Sequence, residues 1–180
     1  MKATLLGERE RYRGRVFTLV DREVILPNGR KTVLGIVDHP GAVAIVPIHA
    51  DGDVVLLRQF RLAAGGEIWE IPAGTREPGE APSRTARREL AEETGLRASR
   101  WTKLGDFFTA PGFCTERMVV YLARGLRPAP AGGDPDEVLR PHKLPFREAL
   151  RLVDRGLIRD AKTIAGLHLA ERRLHGRTPT

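Results

Sequence analysis

The chain has 180 residues, of which 41% are hydrophobic and 29% are charged, so it can bury one substantial core and is not disordered as a whole. Its single cysteine, Cys114, excludes an intrachain disulfide and argues against a cysteine-based zinc site. The formal net charge of +7 favours anionic partners, whereas no apolar run is long enough for a membrane span or a signal peptide, so we expect a cytoplasmic location.

The first sixty residues predict a sheet preceded by a hairpin. Two apolar runs, at residues 16–20 and 33–37, flank the turn Pro27-Asn28-Gly29 and predict a β-hairpin. Residues 42–49 and 53–60 predict two further strands. The first of these is apolar at nearly every position, so both of its faces should be buried.

The middle of the chain predicts one helix followed by two strands. Residues 82–94 are expected to be helical, because Pro82 suits a first turn and Gly95 suits a left-handed cap. The apolar alternation resumes at residues 102–108 and 117–123, which predict strands.

The last third of the chain predicts a loop and two helices. Residues 127–137 are rich in Pro, Gly and Ala and should form an exposed loop. Apolar residues at helical spacing predict helices at residues 146–155 and 161–174. The order of elements predicts an α/β fold, with residues 1–40 as a hairpin extension and residues 41–180 as the main domain.

Three carboxylates crowd one face of the predicted helix. Glu89 and Glu93 are four residues apart, and Glu92 lies three residues after Glu89, so the three side chains project from neighbouring positions. A solvated acidic face relieved by nearby arginines is one interpretation. A cluster of hard oxygen ligands for magnesium or manganese is the other, and Glu80 could add a fourth carboxylate.

The spacing around these carboxylates forms a longer pattern. Gly74 is followed by five residues, Glu80, seven residues and then the run Arg88–Leu96, which reads RELAEETGL. This pattern resembles the complete catalytic motif of the Nudix hydrolase family, without a departure at any defined position. The P-loop pattern G-x4-G-K-[ST] does not occur in the sequence, which argues against a P-loop phosphate site.

The resemblance implies a fold, a metal site and a reaction class. The fold would be a Nudix α/β/α sandwich with a mixed sheet. Glu89 and Glu93 would bind Mg²⁺ or Mn²⁺, assisted by Glu92 and the backbone carbonyl of Ala73. Glu92 and Arg88 would also have catalytic roles, with Arg88 orienting the carboxylates. The reaction would be hydrolysis of a nucleoside diphosphate linked to another group.

A loop downstream of the motif points to one subfamily. Pro111 stands 15 residues after the last motif position, and Gly112 and Glu116 follow it. This placement resembles the substrate-binding loop of ADP-ribose pyrophosphatases, in which a glutamate such as Glu116 is taken as the catalytic base. An ordinary Pro-Gly turn with an exposed glutamate is the alternative interpretation.

The N-terminal hairpin also resembles the extension with which ADP-ribose and nucleoside diphosphate sugar hydrolases form homodimers. Arg15 and Val16 match the segment that contacts adenine in such enzymes. Arg58 and Arg61, after the second strand of the main domain, could reach the diphosphate or terminal ribose, because the guanidinium fork pairs with phosphate oxygens. The alternative interpretation is that Arg58 and Arg61 are ordinary surface arginines. Glu137 could help to position metal or water, or could be a solvated loop acid.

Several functions remain open at this point. Hydrolysis of ADP-ribose to AMP and ribose 5-phosphate is the leading hypothesis. Hydrolysis of GDP-mannose or another nucleoside diphosphate sugar is the nearest rival, followed by cleavage of an oxidised nucleoside triphosphate. A non-catalytic Nudix-fold module that binds RNA is a different class, opposed by the intact carboxylates and by an aromatic content of only 6%. We therefore expect neither a nucleic acid nor a membrane partner.

Overall fold

The computed structural model describes residues 1–130, 132 and 138–176. The chain divides into two compact units. The first unit comprises Met1–Gly41 together with Phe108–Arg117, and the second comprises Ala42–Phe107 together with Met118–Thr180. The predicted division of roles between residues 1–40 and 41–180 stays a prediction, since the units describe contacts and not roles.

The first unit contains a three-stranded antiparallel sheet in the order β1-β2-β3. Its strands are β1 (Thr4–Arg13), β2 (Thr18–Ile25) and β3 (Lys31–Asp38). The predicted hairpin is formed by β2 and β3, and Gly29 has the positive φ of 81° that its tight turn requires.

Strand β1 adds a third strand to the predicted hairpin. It has no apolar alternation, since Glu8 and Arg11 belong to a charged run. Ion pairs across the sheet explain why this run is a strand. Arg22 donates to Glu8 at 2.7 Å, and the Nε of Arg11 donates to Asp21 at 2.6 Å.

The loop at residues 108–117 belongs to the first unit because it is hydrogen-bonded to the end of β3. Val37 donates its backbone N–H to the carbonyl of Phe113 at 2.7 Å and accepts from the N–H of Thr115 at 2.9 Å. The backbone N–H of His39 donates to the hydroxyl of Thr115 at 2.9 Å. These bonds fix the loop that carries Pro111 and Glu116 to the strand.

The second unit contains a mixed seven-stranded sheet. Its main path runs β10-β5-β4-β9-β8, with β6 paired to β5 and β7 paired to β4. Strand β4 runs parallel to β9 and antiparallel to β5 and β7. The strands are β4 (Ala42–Ile48), β5 (Asp53–Arg61), β6 (Gly66–Glu70), β7 (Ala73–Thr75), β8 (Leu96–Phe108), β9 (Arg117–Pro128) and β10 (Leu139–Pro145), and a 3₁₀ turn spans Leu62–Ala64.

The predicted α/β/α sandwich is confirmed in the second unit. Its helices are α1 (Pro82–Thr94), α2 (Phe146–Asp154) and α3 (Ala161–Leu174). Successive residues of β4 point to opposite faces, so Val43 and Ile45 pack with α1 while the alternate residues, such as Val46, pack with α2 and α3. This explains why β4 is apolar throughout. Burial of each such side chain contributes about 1.5–3 kcal/mol.

Helix α3 lies close to the sheet at Gly166. A Cβ at this position would be 2.7 Å from the Cδ1 of Ile71 and 3.3 Å from a methyl group of Val46. Glycine is therefore required by close packing and not by its backbone angles. Among the described residues, no helix is long and apolar enough to cross a membrane.

Candidate active site

The short strand β7 brings the motif glycine against the motif helix. Gly74 pairs with Val43 of β4, which holds its backbone in the sheet. An ideal Cβ built on Gly74 would lie 2.0 Å from the carboxylate carbon of Glu89. The absence of a side chain at residue 74 therefore makes the space in which the Glu89 carboxylate lies.

Helix α1 begins and ends where the sequence predicts. Pro82 occupies its first turn, and Gly95 closes it in the left-handed conformation, with φ of 63° and its N–H donating to the carbonyl of Ala91. Ala86 and Leu90 are buried against the sheet. Because Glu89 and Glu93 lie beside this apolar face, they are only 9% and 4% exposed.

Arg88 is the centre of the carboxylate cluster. Its Nη1 donates to Glu89 at 2.7 Å and to Glu92 at 3.0 Å, and its Nη2 donates to Glu80 at 3.1 Å. Burial alone would lower the pKa of Arg88, but the hydrogen bonds to Glu80, Glu89 and Glu92 and the charge of Glu89 outweigh it and raise the pKa above its usual value. Arg88 therefore stays cationic and reduces the repulsion between three carboxylates.

Glu80 is a strongly acidic member of the cluster. The hydrogen bond from Arg88 lowers the pKa of Glu80 to about 2, against the opposing effect of burial. The hydroxyl of Thr85 at 2.9 Å and the backbone N–H of Glu77 at 3.2 Å add further donors to its carboxylate. Glu80 is thus ionised at all physiological pH values, and its bonds tie the loop before α1 to Arg88.

The donor set fits a divalent cation by its chemistry. Glu89, Glu92 and Glu93 supply the hard carboxylate oxygens that Mg²⁺ and Mn²⁺ bind. Within the described part of the chain, no three His, Cys, Asp or Glu side chains are arranged to hold a metal ion. Here the carboxylates bond instead to Arg88 and to the backbone N–H of Ala73, which donates to Glu93 at 2.9 Å. The predicted metal ligands therefore stay a prediction.

A second charged cluster surrounds Glu70, just before the motif. Glu70 is 1% exposed and accepts two hydrogen bonds of 2.8 Å from the Nε and Nη2 of Arg61. Lys162 of α3 donates to the same carboxylate at 2.6 Å. Burial raises the pKa of Glu70, but the bonds from Arg61 and Lys162 outweigh it, so the pKa lies below its usual value.

This cluster continues through the start of α3 to the motif strand. Asp160 caps α3 by accepting from the backbone N–H of Thr163 at 3.0 Å. The hydroxyl of Thr163 in turn accepts from the backbone N–H of Ile71 at 2.8 Å. Glu70 and Ile71 are therefore both anchored, only two residues before Ala73. Sequence reasoning missed Glu70, although an acidic residue in an apolar lead-in strand is a usable signal.

The two arginines predicted to meet the diphosphate make contacts within the protein. Arg61 is engaged by Glu70, as described. The guanidinium carbon of Arg58 lies 5.1 Å from the ring centroid of Trp69, and its Nη2 lies 3.5 Å from Glu67. Their role in substrate binding remains a prediction.

The predicted base, Glu116, belongs to the first unit. The hydroxyl of Thr109 donates to its Oε2 at 2.6 Å, and the Nδ1 of His39 lies 3.8 Å from its Oε1. The N–H of Gly41 donates to that same Nδ1 at 3.1 Å, so neutral His39 holds its proton on Nε2.

The predicted site residues divide between the units. Ala73, Arg88 and the carboxylates Glu89, Glu92 and Glu93 are brought together in the second unit, which also holds Arg58 and Arg61. Pro111, Gly112, Arg15 and Val16 are exposed residues of the first unit. Glu137 lies outside the described residues.

Fold and site together define a class of protein. An α/β/α sandwich in which a glycine-cradled glutamate and its neighbours surround one arginine, in the motif identified above, is a hydrolase of the Nudix type. The NUDIX domain matches residues 38–167, and the chain belongs to the NUDIX family.

Similar proteins support this assignment. The chain is 39% identical over 160 residues to an ADP-ribose pyrophosphatase of Bacillus subtilis, covering 88% of this chain and 86% of that protein. It is 41% identical over 159 residues to an ADP-ribose pyrophosphatase of Mycobacterium tuberculosis, covering 87% and 77%. A crystal structure of an ADP compounds hydrolase superposes with a TM-score of 0.85 at 28% identity, covering 98% of this chain and 96% of that one.

Proposed function

We propose that this Nudix hydrolase splits the pyrophosphate bond of ADP-ribose, giving AMP and ribose 5-phosphate, with Mg²⁺ or Mn²⁺ as its cofactor. The similarity to two ADP-ribose pyrophosphatases over most of the chain carries the proposal. The complete motif around Arg88 and the loop that holds Glu116 support it.

The reaction adds one water across a phosphoanhydride bond. The water oxygen forms a new bond to one phosphorus, the bridging P–O bond breaks, and the two phosphates leave on separate products. A divalent cation at Glu89, Glu92, Glu93 and the Ala73 carbonyl would supply positive charge against the charge that develops on the diphosphate. The proton of the water must go to a base.

The residues of the chain divide this work by their chemistry. Arg88 donates hydrogen bonds to Glu80, Glu89 and Glu92, and these bonds restrict the rotation of the three side chains. The carboxylate oxygens are therefore preorganised before substrate binds. Glu116, the carboxylate of the loop that resembles the substrate-binding loop, accepts the proton of the water. Thr109 holds one Glu116 oxygen and leaves the other available to a proton.

We further propose that the protein is a homodimer joined through the first unit. The sheet of this unit buries few apolar side chains, whereas Leu5, Leu6, Val33 and Leu34 are between 41% and 57% exposed. Three strands need more apolar burial than this for independent stability. A second copy would cover these side chains.

We also propose a cytoplasmic location. A single cysteine is compatible with this location, and cell fractionation would test it.

A substrate panel tests the assignment. ADP-ribose, GDP-mannose and an oxidised nucleoside triphosphate should be compared by kcat/KM under the same metal concentration, because specificity is a ratio of these values. We expect ADP-ribose to give the largest kcat/KM. A larger value for GDP-mannose would keep the Nudix chemistry and replace the proposed substrate. Activity on none of them, with tight RNA binding, would favour the non-catalytic alternative.

A further inference from the structure

A cavity lies in the second unit at the far end of its sheet. Its volume is about 770 Å³, and it is formed where β4 and β9 end and α2 begins. Ile48, Leu126, Phe146 and Leu174 supply its apolar lining. Cavities of this size accommodate ligands as large as a nucleotide.

The cavity is distinct from the carboxylate cluster. Strand β4 pairs with the motif strand β7 through Ala42–Ala44, whereas Ile48 at its other end lines the cavity. At a rise of about 3.3 Å per residue, Ala44 and Ile48 are roughly 13 Å apart along the strand. None of the motif glutamates lines the cavity.

Three arginines line this cavity. Arg100, Arg124 and Arg147 come from β8, β9 and α2, and each is exposed. Across the described ranges of the chain, their guanidinium groups form no ion pair. Guanidinium groups that converge from three elements create a positive potential that attracts phosphate oxygens.

The acids that line the same cavity neutralise these arginines only in part. The Nζ of Lys143 lies 2.5 Å from Asp51 and 3.5 Å from Asp53, so one cation is shared by both carboxylates. Three arginines and Lys143 against two aspartates leave a net charge of +2.

The start of α2 adds to the positive potential. Its N-cap residue is Pro145, which makes no side-chain hydrogen bond to the first turn. The leading N–H groups of a helix carry partial positive charge and need acceptors. Arg147 lies in this same first turn and adds its charge to that of the helix dipole, whereas the neighbouring Glu148 is paired with Arg151 at 3.2 Å.

We infer that this cavity is a second ligand site, which binds a nucleotide or similar organic molecule with two or more phosphates. The phosphates lie among Arg100, Arg124 and Arg147, and the apolar part of the ligand lies on Ile48 and Leu126. This site goes beyond the proposed hydrolysis, because its residues include no member of the catalytic motif. It allows a nucleotide other than the substrate to bind the enzyme.

Calorimetric titration of the full-length protein with ATP, with a metal chelator present, tests this site directly. The double variant R124A/R147A should weaken ATP binding by about 10- to 100-fold, the loss expected from removing charged hydrogen bonds. A matched control, R97A/R155A, removes two exposed arginines outside the cavity and the same charge. It should bind ATP like the wild type.

Three outcomes would overturn the inference. The first is no measurable ATP binding by the wild-type protein, and the second is wild-type ATP binding by R124A/R147A. The third is an equal loss in both double variants, which would indicate nonspecific charge attraction. Melting temperatures within a few degrees of wild type would show that each variant is folded. ADP-ribose turnover is measured in parallel and should be unchanged in R124A/R147A, so a failure of the proposed hydrolysis leaves the ATP titration interpretable.

Discussion

The carboxylate of Glu89 lies 2.0 Å from the point where a Cβ of residue 74 would stand. The absence of a Cβ at Gly74 therefore leaves the space that the Glu89 carboxylate occupies. Because Glu89 also bonds to Arg88 at 2.7 Å, moving its carboxylate would disturb the whole cluster. The position of the Glu89 carboxylate therefore depends on the glycine that begins the motif.

Gly74→Ala should displace Glu89 and lower kcat by on the order of 10²-fold, the scale expected when a catalytic group moves by about 1 Å. Gly7→Ala is the control, because a Cβ there has no heavy atom within 4 Å. Steady-state kinetics and a melting temperature for both variants check this. Full activity in Gly74→Ala would show that Glu89 can move without loss.

Glu89→Gln and Glu93→Gln should each lower kcat by roughly 10²-fold or more, since a lost ligand charge weakens electrostatic stabilisation of the transition state. Glu148→Gln, in the α2 helix outside the motif, should have little effect. The variants are compared at increasing magnesium concentration. If both motif variants reach wild-type rates at saturating metal, the metal-site assignment is wrong.

Glu80 should make the stability of the protein depend on pH in the acidic range. Its pKa of about 2 in the folded protein lies below the usual 4.5. A lowered folded-state pKa stabilises the fold above the unfolded pKa, and this stability is lost as pH falls from about 4.5 towards 2. Urea unfolding at several pH values should show that the free energy of unfolding falls less steeply with decreasing pH in Glu80→Gln than in the wild type. Equal pH slopes in both proteins would contradict the role of Arg88 at this residue.

Glu116→Gln should lower kcat by roughly 10²- to 10⁴-fold with little change in KM, as expected for loss of a general base. Thr109→Val removes the hydrogen bond to Glu116 and should give a milder loss, which Thr109→Ser should restore. Pro111→Ala should also be mild, since it only loosens the loop. A kcat for Glu116→Gln within a few-fold of wild type would remove Glu116 from the mechanism and shift the base to Glu92 or Glu137, or to a metal-bound hydroxide.

The full-length protein should sediment as a dimer at micromolar concentration. A truncation that begins near Gly41 should be monomeric or insoluble, because it removes the exposed apolar strands of the first unit. Replacing Leu6 and Val33 with Lys is the gentler test and should shift the protein towards monomer without removing any strand. A full-length monomer under these conditions would exclude the proposed dimer.

Local signals explain which elements sequence reasoning found. Pro82 and Gly95 bound α1 because one residue has a fixed φ and the other tolerates a positive φ. Strands β1 and β10 were not predicted, because they lack such local signals. β1 is charged, and β10 contains Pro141 and Pro145, so neither has the apolar alternation on which strand prediction depends.

Long-range pairing explains what sequence reasoning did not find in the site. Arg61 was predicted as a diphosphate contact from its position after a strand, but its fork bonds to Glu70, which lies on the paired strand β6 four residues beyond Gly66, the residue opposite Arg61. Lys162 joins the same carboxylate from 92 residues away. Spacing along the chain carries no information on such contacts. Glu89, Glu92 and Glu93 were found because one helix holds all three.

Hydrolysis of ADP-ribose in water enriched with heavy oxygen, with magnesium present, tests the central claim most directly. AMP and ribose 5-phosphate should appear in equal amounts, and one of the two should carry a single heavy oxygen that marks the phosphorus attacked by water. Loss of both products in Glu89→Gln would tie the reaction to the motif. Failure to consume ADP-ribose, or products other than these two, would contradict the proposed function.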